Sequence, residues 1–399
     1  MTETTRPKRG VRAGGRAARV AARAAGLPED ERAVRKATVD LLGQARDKAR
    51  AVVAQAFARR PYDARQVTQS YTWITDCLVT LSWEVATERL HRRPTPTEAE
   101  KIAVIAVGGY GRGEMAPYSD VDLLFLTPYK IAPWAENVIE SMLYIFWDLK
   151  LKVGHASRTI KDCLRLGAED YTIRTAMLEH RFLTGHAPLA EELDRRLWSE
   201  LFEGSARDFV EAKLAERDTR HEKQGGQRYM VEPNVKEGKG GLRDLQSLYW
   251  ITKYVHHVDD TEELVRLGVF SREEFATFVK AENFLWAVRC HMHLHSGRPM
   301  EQLTFDVQVA VAEAMNYTDR RGRRAGEHRR RADPGLPGPI RHAPSRTARR
   351  PARHPLPPRQ LAAGLLHRYR HQPDSRGTGP GRSDRRASRA RVSRRDTRS

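Results

Sequence analysis

Long apolar runs are missing from this 399-residue chain, so no helix in it is expected to span a membrane. The basic, Ala- and Gly-rich start from Arg6 to Arg23 lacks the apolar core of a secretory signal. Cysteine is scarce. Cys77, Cys163 and Cys290 stand far apart without metal-ligand spacing, which argues against a disulfide framework and leads us to expect a reducing, cytoplasmic setting.

The C-terminal stretch lacks still more. Residues 320–399 contain no lysine, no methionine and one aromatic residue, Tyr369, but ten of the chain's 21 prolines. Such a segment cannot bury enough apolar surface to fold, and it is expected to be disordered. Losing several residue types at once points to a shifted reading frame rather than a natural tail. Its 24 arginines against five acidic residues account for the whole net charge of +19, so residues 1–319 are neutral overall. A non-enzymatic nucleic-acid binder acting through this tail is one reading of that charge. The neutral remainder gives no reason to expect a specific nucleic-acid partner.

What is present centres on Ile102 to Thr127. Ile102 to Val107 is a short apolar run rich in β-branched residues, the pattern of a buried strand. It ends at Gly108-Gly109-Tyr110-Gly111-Arg112-Gly113-Glu114, where glycines let the backbone bend tightly and approach a ligand. Pro117-Tyr118-Ser119 then leads into a second strand, Asp120 to Leu126. Side chains alternate along a strand, so Asp120 and Asp122 share a face. A lone Asp-x-Asp is usually just an exposed strand end. Beside a glycine turn whose N–H groups can cradle phosphate, and an arginine that can contact it, the pair suits Mg²⁺ and a polyphosphate. No Lys-Ser or Lys-Thr follows the glycines, which excludes a Walker A loop, and a strand rather than a long helix comes next.

Gly108-Gly109, Gly111-Arg112, Glu114, Pro117 and Ser119-Asp120-Val121-Asp122 resemble the signature of the DNA polymerase β-type nucleotidyltransferase superfamily. More closely, they resemble the PII uridylyltransferases, the N-terminal part of the bifunctional uridylyltransferase/uridylyl-removing enzymes. The resemblance implies an α/β nucleotidyltransferase core with a small mixed sheet, N-terminal helices and a C-terminal helical domain. It also implies a third carboxylate near an acidic-x-Arg sequence followed by glycine. Glu179, with Arg181 and Gly185, is similar to that element, although Glu179 reads equally as an exposed helical glutamate.

The rest of the chain is arranged around that stretch. After a basic arm (1–28), apolar residues recur at helical spacing from Glu29 to Leu90, broken at Pro61, giving an N-terminal helical segment (29–99). The nucleotidyltransferase core is expected over 100–185, with a helix from Trp134 to Leu149 and a third strand from Leu151 to Arg158. His155 and Arg158 on that strand are equally consistent with facing the site or with a plain structural role. A helical domain is expected over 186–319. Within it, Glu232 to Gln246 carries Gly238, Gly240 and Gly241 with Lys236, Lys239 and Arg243, opening onto a helix. That is either an anion cradle or a tight loop with a helix cap. It resembles a motif shared by PII uridylyltransferases and glutamine synthetase adenylyltransferases. His291, His293 and His295 alternate, a spacing that does not put them on one helical face, and no zinc site is expected.

The resemblance implies transfer of UMP from UTP to a tyrosine of the PII signalling protein, with release of pyrophosphate. Asp120, Asp122 and Glu179 would be catalytic and would hold Mg²⁺, or Mn²⁺ in its place. Gly108, Gly109, Gly111, Arg112 and Ser119 would bind nucleotide, helped by Lys236, Lys239 and Arg243. An adenylyltransferase using ATP on PII or glutamine synthetase is the alternative. Full-length relatives continue with an HD-type hydrolase domain and ACT sensing domains. This chain has no His-Asp dipeptide, so it is expected to be truncated and to lack the uridylyl-removing site.

Overall fold

The computed structural model describes residues 30–318 apart from 94, 96, 226–229 and 259–261. The expected basic arm and Arg/Pro-rich tail lie outside the described residues. The centre is a four-stranded mixed sheet in the order β3-β2-β1-β4. Its strands are β1 (Ala103–Ala106), β2 (Val121–Thr127), β3 (Val153–Thr159) and β4 (Arg181–Gly185). β1 runs antiparallel to both β2 and β4, whereas β3 joins the outer edge of β2 in parallel. A parallel neighbour needs a crossover, and the expected helix supplies it: α4 (Pro133–Asp148) connects β2 to β3.

Strand periodicity divides β1 and β2 between two cores. Val104, Ala106, Leu123 and Phe125 face one side and pack with Phe57, Leu78 and Phe146. Those partners come from α1 (Glu31–Arg59), α2 (Ala64–Val85) and α4. Ala103, Ile105, Leu124 and Leu126 face the other side, against Met177, Leu193, Phe209 and Trp250. That cover is built by α5 (Ile160–Glu169), α6 (Tyr171–Leu178), α7 (Ala187–Arg196), α8 (Ala206–Lys223) and α9 (Leu242–His256). Each large side chain buried this way contributes about 1.5–3 kcal/mol.

The helix starts follow local chemistry. Asp30 caps α1 through the Ala33 amide, and Thr159 with Asp162 forms a capping box on α5. A wide helical turn, Leu197–Phe202, follows α7, and Ser205, just before α8, meets the Tyr254 hydroxyl at 2.7 Å. Beyond α9, α10 (Glu263–Arg266), α11 (Arg272–Ser296) and α12 (Phe305–Ala314) complete the described chain. Gly297 ends α11 at φ +67°, and Gln302 then bridges to Asn234. Trp286, Val288 and Val311 join the same core as Leu42 and Val104, so the N-terminal helices, sheet and C-terminal helices share one apolar cluster. No described helix is long and apolar enough to cross a membrane.

Candidate active site

At the end of β1 the chain forms α3 (Gly108–Gly111), a single helical turn rather than an open loop. The Val107 amide donates to the Asp122 carbonyl at 3.1 Å, so the turn starts beside the aspartate strand. Gly111 and Arg112 amides return to the Val107 and Gly108 carbonyls, which leaves the amides of Gly108, Gly109 and Tyr110 without an intrahelical acceptor. Gly108 has φ +59°, and a Cβ there would stand 3.5 Å from Asp122 Oδ2. Gly111 faces away from the cleft: a Cβ would lie 2.0 Å from the Glu179 carbonyl oxygen. Arg181 fastens the turn from behind. Its guanidinium donates to the Gly111 and Tyr110 carbonyls at 3.1 and 3.2 Å and pairs with Asp76 of α2 at 2.9 and 3.0 Å.

Asp120, Asp122, Gly108, Gly109, Ser119 and Lys152 line one cleft of about 510 Å³. Asp122 sits on the face shared with Leu124 and Leu126, and its register partner on β3 is Gly154. A Cβ on Gly154 would lie 2.6 Å from Asp122 Oδ1, so only glycine leaves that carboxylate its space. Register also decides the two residues left open on β3. His155 pairs with Leu123 and therefore belongs to the opposite face, and Arg158, beside Leu126, lies four residues along the strand from Gly154. Burial, and then the Asp120 carboxylate, push Asp122 above its ordinary value, while Lys236 and Lys152 pull the other way. Lys152 Nζ reaches Asp120 at 3.0 Å.

The opposite wall comes from the second glycine stretch. Asn234 Oδ1 accepts from the Lys236 and Glu237 amides at 3.0 and 2.8 Å, folding the loop back on itself. Asp244 accepts from the Gly240 amide at 2.7 Å and is held by Arg220 and His221. Gly238 and Gly241 are required by packing, since Cβ atoms would meet carbonyl oxygens at 2.4 and 2.8 Å. The loop thereby presents Lys236, and the first turn of α9 presents Arg243 over the Trp250 ring. Burial, then Arg289 and Arg243, push Lys236 below the usual lysine range against the pull of Glu301 and Glu237. A desolvated ammonium crowded by guanidinium groups is relieved by an anion.

Two family models match the chain: "GlnD PII-uridylyltransferase" over residues 208–332 and "Glutamate-ammonia ligase adenylyltransferase" over 7–144. The bifunctional uridylyltransferase/uridylyl-removing enzyme of Ruegeria pomeroyi is 64% identical over 304 residues, covering 76% of this chain and 33% of that protein. Its counterpart in Cereibacter sphaeroides is 61% identical over 300 residues, covering 75% and 32%. That of Erythrobacter litoralis is 50% identical over 293 residues, covering 73% and 32%. The chain belongs to the PII-uridylyltransferase family. It spans about a third of the length of these relatives.

Within this family member the expected site residues do not all meet. Asp120, Asp122, Gly108, Gly109, Arg112, Ser119, Glu179, Lys236 and Arg243 line the cleft, whereas Gly111 is buried behind the turn and Lys239 is exposed away from the lining. Ser119 Oγ accepts from the Ala116 amide at 2.9 Å and so shapes the loop before the aspartates. Glu179 is neither exposed nor helical. It caps α6, its side chain is 3% accessible, and Oε1 accepts from both Arg112 Nη1 and Trp250 Nε1. Arg112 is bound in turn to Glu114 at 2.5 Å. Burial opposes the charge of Arg112, but Glu179 and Glu114 outweigh it and hold the guanidinium above its ordinary value. Its Nη2 still points at the turn, 3.8 Å from where a Gly109 Cβ would stand.

Lys152, Lys213, Trp250, Arg289 and Glu301 also line the cleft and were not singled out from sequence. No local signal marks them, because each reaches the site from a different element. The three histidines diverge. His291 bonds the Pro61 carbonyl at 2.9 Å and stacks on Phe57, His293 turns toward Tyr118, and His295 is exposed. Among the described residues no group of three His, Cys, Asp or Glu side chains assembles as a metal site. Of the carboxylates lining the cleft, Glu179, Glu237 and Glu301 are paired with arginines, whereas Asp120 and Asp122 stand together beside the glycine turn, Asp122 desolvated and repelled by Asp120. That pair suits a small hard cation whose other ligands are phosphate oxygens and water.

Proposed function

We propose that this chain transfers UMP from UTP to a tyrosine hydroxyl of PII with release of pyrophosphate, using Asp120 and Asp122 to hold Mg²⁺. One arrangement carries the reading: a repelling carboxylate pair faces a crowded group of Lys236, Arg243 and Arg289 across one cleft. Arg243 and Arg289 are already paired with Glu237 and Glu301, so Lys236 is the charge an anion relieves, and a metal-bound triphosphate supplies a cation for the carboxylate pair and an anion for Lys236. Bound there, the metal would neutralise charge on the reacting phosphate and align it with the attacking oxygen.

The chain's own groups have distinct tasks in this reading. Amides of Gly108 and Gly109 hold phosphate oxygens at close range, which side chains at these positions would prevent. Arg112 shapes the cradle, since both neighbouring glutamates already claim its charge. Lys236 and Arg243 draw the β- and γ-phosphates and stabilise the pyrophosphate as it leaves. Lys152 balances Asp120 from the edge strand. Glu179 is assigned to anchoring Arg112 and Trp250 rather than to the metal, because both its contacts are to donors.

The choice of UTP and PII rests on the names of the relatives. The second reading, adenylyl transfer from ATP, is favoured by the adenylyltransferase match over 7–144, which includes both aspartates. Incubating the chain and Mg²⁺ with labelled UTP or ATP, and with purified PII or glutamine synthetase, tests both. UMP on PII is the expected product. Label entering glutamine synthetase from ATP alone would replace the first reading with the second.

A further inference from the structure

The loop that delivers Asp120 is held from a distant helix. Tyr118, two residues before Asp120, has its backbone N–H directed at His293 Nδ1 of α11 at 3.4 Å, and the two rings lie 6.4 Å apart. His293 is fully buried. A backbone amide can only donate, so Nδ1 is the acceptor and the proton of the neutral ring sits on Nε2. Burial, the largest influence, pushes His293 below the usual histidine range and favours that neutral form. Among the described residues Nε2 has no hydrogen-bond partner, and it faces Glu301 Oε1 at 3.7 Å. Glu301 is clasped by Arg289 through contacts of 2.7 to 3.1 Å, and both residues line the cleft. One side of the imidazole thus touches the aspartate loop, and the other touches the wall that carries the cationic group.

We propose that His293 is a positioning residue for the carboxylate pair. Through Nδ1 it fixes the Tyr118 amide, and so the path of the chain into Asp120 and Asp122. Through Nε2–H it references that loop to the Glu301–Arg289 pair. Pro117 stiffens the loop on one side and Ser119 Oγ folds it on the other, so the Tyr118 amide is the point at which the C-terminal helices set its height. The ring serves two contacts with its two nitrogens, which neither an aliphatic residue nor a single amide can do.

This rests on the reading that Asp120 and Asp122 hold a divalent ion, and the test separates the two. His293→Leu removes both contacts, His293→Asn keeps an acceptor near Nδ1, and His293→Gln keeps a donor near Nε2. Each full-length variant is compared with the parent by Mn²⁺ binding followed by electron paramagnetic resonance, by amide hydrogen exchange over residues 115–124, and by the split of kcat and KM for the triphosphate. His293→Leu should weaken Mn²⁺ binding about tenfold, the scale seen when a group orienting a ligand is lost, and lower kcat more than it raises KM. His293→Asn should restore slow exchange at Tyr118 and most of the Mn²⁺ affinity, and His293→Gln should not. Equal exchange and Mn²⁺ affinity in the Asn and Gln variants would overturn the assignment, whether or not the Leu variant folds. A parent chain that binds no Mn²⁺ would sink the metal reading instead, and the exchange comparison would still decide the role of His293.

Discussion

Replacing Glu179 separates two roles that its sequence context left open. The side chain is 3% accessible and receives hydrogen bonds from Arg112 and Trp250, while Arg112 is itself 9% accessible. Removing one partner of a buried ion pair strands the other charge, which costs about 3–5 kcal/mol. Glu114 still holds Arg112 Nε, so the lower end of that range applies to Glu179→Ala. Gln in place of Glu keeps an acceptor for Trp250 and should cost about 1–3 kcal/mol. For a folded region of this size each kcal/mol moves Tm by roughly 2–4 °C, so the Ala variant should melt on the order of 6–12 °C early. Circular dichroism melts and Mn²⁺ titration on the same samples provide the assay. An anchoring role predicts a large fall in Tm, with Mn²⁺ affinity of the folded fraction retained. A Tm within about 2 °C of the parent, combined with lost Mn²⁺ binding, would mean that Glu179 is a metal ligand and not an anchor for Arg112 and Trp250.

Asp122→Asn should abolish transfer yet stabilise the metal-free chain by roughly 0.5–2 kcal/mol, because it removes a desolvated charge facing Asp120. A raised carboxyl means the folded chain holds a proton that the unfolded chain has released, so stability falls as pH rises through that interval. The Asn advantage should therefore be present at neutral pH and disappear in acid; lower stability of the Asn variant at pH 7 would contradict this. Gly108→Ala should cost about 1–2 kcal/mol and weaken triphosphate binding, since a Cβ is disfavoured at φ +59° in the turn beside Asp122. Gly109→Ala meets only ordinary contacts of 3.7 and 3.8 Å, and matching melts for the two variants would refute the distinction. Burial pushes Glu301 up, but the Arg289 guanidinium bonded to it, with the His293 Nε2–H facing it at 3.7 Å, outweighs burial and holds its carboxyl at about 2, against an ordinary 4.5. That depressed value contributes stability on the order of 3 kcal/mol, which is fully present above pH 4.5 and lost as pH falls toward 2. Glu301→Gln should flatten this acid limb of an unfolding titration, and an unchanged limb would count against the ion pair.

What the sequence determined by itself is the stretch whose logic is local. Six apolar residues, a cluster of glycines and an Asp-x-Asp specify strand, turn and strand, because period-2 alternation and the conformational freedom of glycine act within a few residues. The two aspartates could be picked out for the same reason, and so could α4 and the break at Pro61. Tertiary structure decided which glycines serve a ligand and which serve packing. Gly111 and Gly154 look alike in sequence, yet the first admits the Glu179 carbonyl and the second makes room for the Asp122 carboxylate. It also decided the fate of charges. Glu179 is drawn to Trp250 across 71 residues and Tyr118 to His293 across 175, and no spacing rule relates such positions before the chain has folded. Lys239 and Lys236 lie three residues apart in one motif, but only Lys236 reaches the cleft. A side chain's neighbours within a turn are fixed by backbone geometry. Its neighbours across the fold are fixed by how helices cover a sheet, and there the cleft acquired its second wall.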